Sequence, residues 1–364
     1  MSAPIDEQPI TNLSNEAASP AGARGERYAR QTTFPPIGAS GQARISDTRV
    51  VVLGCGALGG VSANLLVRAG VGHVRIVDRD YVELSNLQRQ TLFEEEDVRQ
   101  RLPKAIAAAE RLQRVNSSVT IEPVVADINA SNVESLIAGA GILIDGLDNF
   151  ETRYLINDAA IKHGVPWVYG GVIGSYGMSM TVRPGETPCL RCVFADAPSP
   201  GSAPTCETAG VIGPAVDVVG AIQAAEVLKL AIDDLAALNT ALLSIDLWSH
   251  ATERIPLGSP RPDCPACQRR EFTYLNSQTH GQELALCGRD AIQVAVHPAA
   301  ALDLGRMRER LESLGTVQAN RFLLRFDPNE AAVELTIFPD GRAIVHGTTD
   351  AAVARSAYAR FVGT

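Results

Sequence analysis

No apolar run in this 364-residue chain approaches the ~20 residues of a membrane-spanning helix. Residues 1–25 lack the basic start and apolar block of a secretory signal. Positive charge is in deficit: 32 Lys and Arg stand against 41 Asp and Glu, for a net charge of −9. That balance argues against a nucleic-acid coat or a binder of anionic membranes, while leaving room for a local basic pocket. Hydrophobic residues make up 46% and charged residues 20%, so a full core is available and global disorder is excluded. No internal repeat is present. The seven cysteines are an odd number, and four of them form two C-x-x-C pairs. Without an export signal, that spacing favours a metal over disulfides. The length suits more than one domain and fewer than three, and the expectation is a cytoplasmic α/β protein.

Residues 1–25 are rich in Ala, Ser, Pro, Glu and Gly without periodicity and read as a tail. From Arg49 short β-branched runs alternate with helical patterns: RVVVLG, then GALGGVSANLLVRAG, VRIVD, KAIAAAERLQRVN, TIEPVVAD, SNVESLIAGA, GILIDGLD, ETRYLINDAAIKHG and VPWVYGG. Such alternation predicts right-handed crossovers and a doubly wound, Rossmann-like, mostly parallel sheet covered on both faces. After Gly171 the rhythm loosens. GSYGMSMTVRPG reads as a hairpin, residues 186–210 as a cysteine-bearing loop, IGPAVDVVGAIQAAEVLKLAI as a long helix, ALLSIDLWSHATERIPL as strand and RPDCPACQRR as a knuckle. The expected division is residues 26–270 for the doubly wound domain with both C-x-x-C pairs, 271–282 for a linker and 283–364 for a small α+β domain. In the last unit QVAV reads as a strand, LDLGRMRERLESLG as a helix and DAAVARSAYARFVG as another. Between the helices come two or three more strands, with Pro-Asp-Gly as a hairpin turn.

Gly54-Cys55-Gly56-Ala57-Leu58-Gly59 is a G-x-G-x-x-G between a strand and a helix. Its glycines permit a tight turn and let backbone approach a phosphate at the helix N-terminus. Asp78 ends the second strand, where a carboxylate can accept from ribose hydroxyls. An NAD-dependent dehydrogenase is the first candidate for such a pattern. The residues beyond Asp78 favour a triphosphate: Asp80, then Ser85-Asn86-Leu87-Gln88-Arg89-Gln90, then Lys104 at the start of a helix. Amides, an Arg and a Lys converging on one crevice suit more negative charge than a pyrophosphate carries. Taken singly, Arg89 and Lys104 are better read as a solvated helix face, the default for such residues. The fourth strand ends Gly-Leu-Asp148-Asn149 at the edge where doubly wound sheets bind ligands. Asp148 suits Mg²⁺ bridging phosphate oxygens, and Asn149 suits a phosphate or ribose, with a helix N-cap as the plain alternative.

The pairs Cys189/Cys192 and Cys264/Cys267 supply four thiolates for a closed tetrahedral Zn²⁺ site. A redox role is disfavoured, because neither pair follows the first strand of a thioredoxin-like unit. Cys206 lies in Pro-Thr-Cys-Glu-Thr-Ala-Gly ahead of the long helix, where a helix N-terminus can activate a thiol. The plain alternative is an incidental small residue or a fifth thiol near the zinc. Cys55 reads as a small apolar residue within the glycine loop, and Cys287 opens the last unit.

Arg27–Gln31 (RYARQ), GCGALG, the D-x-D-x-V-x-x-S-N-L-Q-R-Q stretch from Asp78 to Gln90, GLDN and the cysteine pairs resemble the MoeB/ThiF/HesA family, relatives of the ubiquitin-activating enzymes, from about Tyr28 to Cys267. The resemblance implies an adenylyltransferase that uses ATP and Mg²⁺ to activate the C-terminal glycine carboxylate of a ubiquitin-like sulfur-carrier protein ending in Gly-Gly. By that resemblance Asp78 holds the ribose, Asn86, Arg89 and Lys104 the phosphates, and Asp148 the metal. Arg30 reaches a phosphate across a homodimer, and the four cysteines hold zinc. A cysteine at the place of Cys206 captures the activated carboxylate as a thioester or joins a persulfide relay in some members, and others adenylate without using it. The last unit is too short for a C-terminal rhodanese domain, which implies a separate sulfur-donor protein. Relatives that adenylate a peptide C-terminus or a tRNA-base carboxylate supply the rival acceptors, and the acidic net charge weighs against tRNA.

Overall fold

The structure, a computed structural model, describes residues 25–197, 209–276, 283–285, 290–294 and 302–363. Most of the expected tail, residues 277–282 of the expected linker, Cys206 and Cys287 lie outside the described residues. An eight-stranded sheet has the order β3-β2-β1-β4-β5-β6-β7-β8. Its strands are β1 Arg49–Leu53, β2 His73–Asp78, β3 Thr120–Val125, β4 Ile142–Asp145, β5 Trp167–Ile173, β6 Tyr176–Val182, β7 Ala241–Asp246 and β8 Ala251–Pro256. Pairing is parallel from β3 through β5 and antiparallel from β5 to β8. Strand order reverses between β1 and β4, so the turns after these two strands flank the crevice where such sheets bind ligands.

Burial explains why the strands read as unbroken apolar runs. Val50 and Val52 of β1 face the helices Ala57–Ala69, Lys104–Val115 and Gly213–Ala231, together with Leu66, Ala108 and Val227. Val51 and Leu53 point the other way, towards Tyr154 and Ile156 of the helix Phe150–His163 and towards Trp167 and Tyr169. Period-two alternation therefore gives two apolar faces. None of the described helices is long and apolar enough to cross a membrane.

Residues 241–256 form two strands rather than one, because the backbone turns at residues 247–250 with His250 at φ 59°. SNVESLIAGA contributes only the single turn Val133–Leu136.

A second sheet, all antiparallel, has the order β11-β12-β13-β14-β10-β9. Its strands are β9 Glu283–Ala285, β10 Ala291–Val294, β11 Gly315–Ala319, β12 Leu324–Pro328, β13 Glu334–Ile337 and β14 Ala343–His346. The helices Leu304–Leu311 and Ala351–Phe361 cover one face. The Pro-Asp-Gly turn sits where the sequence places it, with Gly341 at φ 86° and Phe338 N donating to Arg342 O at 3.0 Å. Six strands appear where three or four were expected.

Asp158, buried inside the helix Phe150–His163, accepts Tyr274 N at 2.9 Å. Burial pushes its pKa up to about 6. The folded state then binds more protons than the unfolded chain between about pH 4 and 6. The neutral carboxyl's contribution is complete below that window and is lost as pH rises through 6. Asp158→Asn is therefore expected to gain stability relative to wild type, on the order of 2 kcal/mol, between pH 4 and pH 7. Thermal melts across that range check this; a difference independent of pH contradicts it.

Candidate active site

The turn after β1 is built by close backbone contact. Gly54 has φ 89°, and its N donates to Val77 O at 2.8 Å. A Cβ on Gly59 would lie 1.9 Å from Gly54 O, and one on Gly146 would lie 2.2 Å from that same oxygen. No side chain is tolerated at either position, so the β1 and β4 turns press backbone to backbone. Gly56 caps the helix Ala57–Ala69 without a side-chain bond, and Gly56 and Ala57 are partly exposed. That leaves the first amides of the helix to an anion.

Asp78 closes the turn from β2. Its Oδ2 accepts Cys55 N at 2.6 Å and its Oδ1 accepts Asp80 N at 2.7 Å. Burial pushes the Asp78 pKa up, and Lys104 opposes the shift. Lys104, itself buried, places Nζ 3.1 Å from Asp80 Oδ2. Asp78, Asp80 and Lys104 thus form one charged cluster under the glycine turn. The Cys55 thiol beside it is held well above the ordinary thiol range by burial, next to Asp78, which fits its reading as a packing residue.

The stretch 83–90 lines the same opening. Asn86 is buried in the short turn Leu84–Asn86, and its Oδ1 accepts Glu83 N at 3.1 Å. Arg89 is half-buried, with Nη1 on Ser85 O at 2.9 Å, and Ser85 is exposed. Gln90 is 5% exposed and faces Gly56, and its buried Oε1 has no hydrogen-bond partner. A buried orphan acceptor is costly unless a ligand or water completes it. Across the crevice Asp148 is exposed. Asn149 is the N-cap of the helix Phe150–His163, accepting Thr152 N at 2.9 Å, so its plain reading holds.

At the far side of the sheet the cysteine pairs come together. Cys189 Sγ lies 3.6 Å from Cys264 Sγ and 3.9 Å from Cys192 Sγ, and Cys192 Sγ lies 3.4 Å from Cys267 Sγ. All four lie within 4.8 Å of one another. Tetrahedral zinc–thiolate bonds place sulfurs about 3.8 Å apart, so the donor set fits the ion. A hydrogen bond from Cys189 pushes Cys192 down to about 4, while burial lifts Cys267 to about 12. Thiols this close cannot all ionise without a cation to offset the charge.

The ThiF family profile matches residues 28–266. The chain belongs to the ThiF family. It is 43% identical over 339 residues to the sulfur carrier protein ThiS adenylyltransferase of Bacillus subtilis, covering 93% of this chain and 99% of that protein. It is 42% identical over 242 residues to the SAMP-activating enzyme E1 of Haloferax volcanii, covering 66% and 88%. It is 38% identical over 244 residues to the adenylyltransferase and sulfurtransferase MOCS3 of Sus scrofa, covering 67% of this chain and 53% of that protein. The structure of E. coli MccB with ATP shares the fold at a TM-score of 0.58 and 23% identity, covering 66% of this chain and 74% of MccB.

In this ThiF-family chain one expected site residue stands apart. Arg30 is exposed on the turn Ala29–Thr32. Its neighbours bind the end of the Ala57–Ala69 helix remote from the glycine turn: Gln31 Nε2 donates to Ala69 O at 2.9 Å, and Tyr28 packs over Gly70. Thirteen residues of helix put that end roughly 20 Å from the crevice.

Three supporting residues were not anticipated. Asp145, fully buried, pairs with Arg153 at 2.9 Å and accepts Leu147 N at 3.0 Å. Arg153 Nη2 donates to Leu147 O at 2.6 Å and Gly170 O at 3.0 Å, and its guanidinium lies over the Phe150 and Tyr169 rings. Gln223 Nε2 binds Asp145 O at 2.8 Å and Val168 O at 3.1 Å. Together they pin the turn that presents Asp148. A carboxylate inside the apolar run ILID, eight residues before an arginine, was the available signal.

Cys264→Ser is expected to release bound zinc and lower the melting temperature, checked by metal analysis and thermal melts. Full zinc retention refutes the four-thiolate site.

Proposed function

We propose that the protein is an ATP-dependent adenylyltransferase that activates the C-terminal glycine carboxylate of a ubiquitin-like sulfur carrier, releasing pyrophosphate. The carrying observation is the convergence at one switch point of an uncapped helix N-terminus, buried Asp78, the Asp80–Lys104 pair, the orphan Gln90 acceptor and exposed Asp148. The likeness to a ThiS adenylyltransferase over nearly that protein's whole length supports the choice of acceptor. Residues 26–270 form the adenylation domain with its zinc, residues 271–282 the linker and residues 283–364 a small α+β domain.

Attack by the carrier carboxylate on the α-phosphorus forms an O–P bond and breaks the bond to the β-phosphate's bridging oxygen. The attacking group is already ionised, so no general base is needed. The obstacle is repulsion between two anions, and fixed positive charge lowers it. Asp78 orients the ribose hydroxyls, with Gly54, Gly56, Ala57 and Gly59 around the phosphates. Asn86, Arg89 and Lys104 take up charge on the departing pyrophosphate, while Ser85 and Gln90 complete the polar wall. Asp148 would hold a magnesium ion, which would supply charge neutralisation. The remote position of Arg30 favours a homodimer in which this arginine serves the partner's crevice. Zinc on Cys189, Cys192, Cys264 and Cys267 holds the domain's end together. A separate protein donates the sulfur, and Cys206 is the candidate for a thioester with the carrier.

ATP–pyrophosphate exchange that depends on a Gly-Gly-ending carrier tests the proposal. Asp148→Ala is expected to lose exchange by at least about a hundredfold. Cys206→Ala is expected to keep exchange and lose thioester formation. Undiminished exchange in the first variant, or lost exchange in a folded second variant, overturns the respective role.

Arg30→Ala and Asp148→Ala proteins, each inactive alone, are expected to regain exchange when mixed and allowed to trade subunits. An inactive mixture that nonetheless contains heterodimers contradicts action across the dimer.

A further inference from the structure

The second sheet has two apolar faces, and among the described residues helices cover one of them. Met307, Leu311, Tyr358 and Phe361 pack against Leu335, Ile337 and Val345 on the helical side. Alternate residues point the opposite way, and Ala291, Leu323, Phe338 and Ile344 close around Tyr81 of the first sheet's β2–β3 connection. Tyr81 directly follows Asp80 and bridges Pro103, the residue before Lys104. The face left without helices is therefore covered by the segment that carries the charged cluster of the crevice.

Polar contacts then fix that segment. Arg342 is 3% exposed, lies 3.8 Å over the Phe338 ring and is held by Asp340 at 2.9 Å. Its Nη2 donates to Arg79 O at 2.8 Å. Gln293, also 3% exposed, donates to Asp127 Oδ2 at 3.2 Å, and Asp127 Oδ1 receives Arg79 Nη1 at 2.8 Å. Asn320 Nδ2 donates to Gln100 O at 3.1 Å, shortly before Lys104. Arg79 stands between Asp78 and Asp80, so its main chain and its guanidinium are both held, directly or through Asp127, by buried groups of the second sheet.

We propose that the second sheet is a positioning element for the nucleotide, in which Arg342 and Gln293 hold the Asp78–Tyr81 turn and keep Asp78 and the Asp80–Lys104 pair in the register that ribose and phosphates require. This rests on the nucleotide reading of the crevice. Neither residue touches the ligand; they act through Arg79 and Asp127. Small displacements of binding groups carry large costs because the pose must match ribose and phosphate together.

The test is calorimetric titration of the full chain with α,β-methylene-ATP and magnesium. Wild type is expected to bind, and Arg342→Ala combined with Gln293→Ala to bind about tenfold to a hundredfold more weakly. Arg342→Lys, which keeps a donor for Arg79 O, is expected to bind close to wild type. Met307→Ala, on the helical face, is expected to keep wild-type affinity. In exchange assays the KM for ATP rises in the double variant while the KM for the carrier does not move. Wild-type affinity in a double variant with normal zinc content and circular dichroism overturns the inference. An equal loss in Met307→Ala overturns it as well, because the effect would then be general stability. Absence of binding by wild type overturns instead the nucleotide reading on which the inference rests.

Discussion

Everything at the crevice depends on the contact between the β1 and β4 turns. Gly54 O occupies the space a Cβ would need on both Gly59 and Gly146, so two loops far apart in sequence meet without intervening side chains. That meeting sets the turn that leads to Asp148 against the start of the Ala57–Ala69 helix, where Asp78 accepts Cys55 N. Backbone contact this close has no tolerance for drift, and the surrounding protein supplies rigidity accordingly. Asp145, Arg153 and Gln223 brace the β4 turn from below through a buried network. Removing one partner of such a buried pair typically costs about 3–5 kcal/mol, because the other charge is left uncompensated.

The β2 turn is braced differently. Asp80 and Lys104 pair at 3.1 Å beside the glycine turn, and Arg79 is tied to Asp127. Those groups would be free to shift with the connection that carries them if Tyr81 were not packed against the second sheet. The far edge is stabilised by the four cysteines, which join a one-turn helix to the end of the first domain. Two crossings of sequence-distant chain thus flank the crevice: backbone at the switch point and the seam with the second sheet beside it.

The parallel half of the first sheet was legible because its central strands are buried on both faces and read as unbroken apolar runs, as in RVVVL and ILI. The grouping of the four cysteines was legible in their C-x-x-C spacing, and the place of Asp78 in its position at the end of an apolar strand. Arg153 was not, since an arginine in the first turn of a helix ordinarily faces solvent, and only the fold shows Asp145 beneath it. The strand β11 was missed because GTVQA carries little apolar pattern: none of its residues is buried at that sheet edge. The break at His250 was hidden for a related reason, as β8 is exposed along its whole length and lacks alternation. The role of Arg342 was beyond sequence reading, because it depends on a carbonyl of another domain.

The central claim is that this crevice joins AMP to a carboxylate of a small protein. Intact-mass spectrometry of a Gly-Gly-ending carrier, after incubation with the enzyme, ATP and magnesium, reads that event directly. The account predicts a carrier carrying one AMP at its C-terminus, formed only with an intact terminal glycine and accompanied by pyrophosphate. A carrier of unchanged mass, with folded, zinc-loaded enzyme and every Gly-Gly carrier of the same cell, would contradict it.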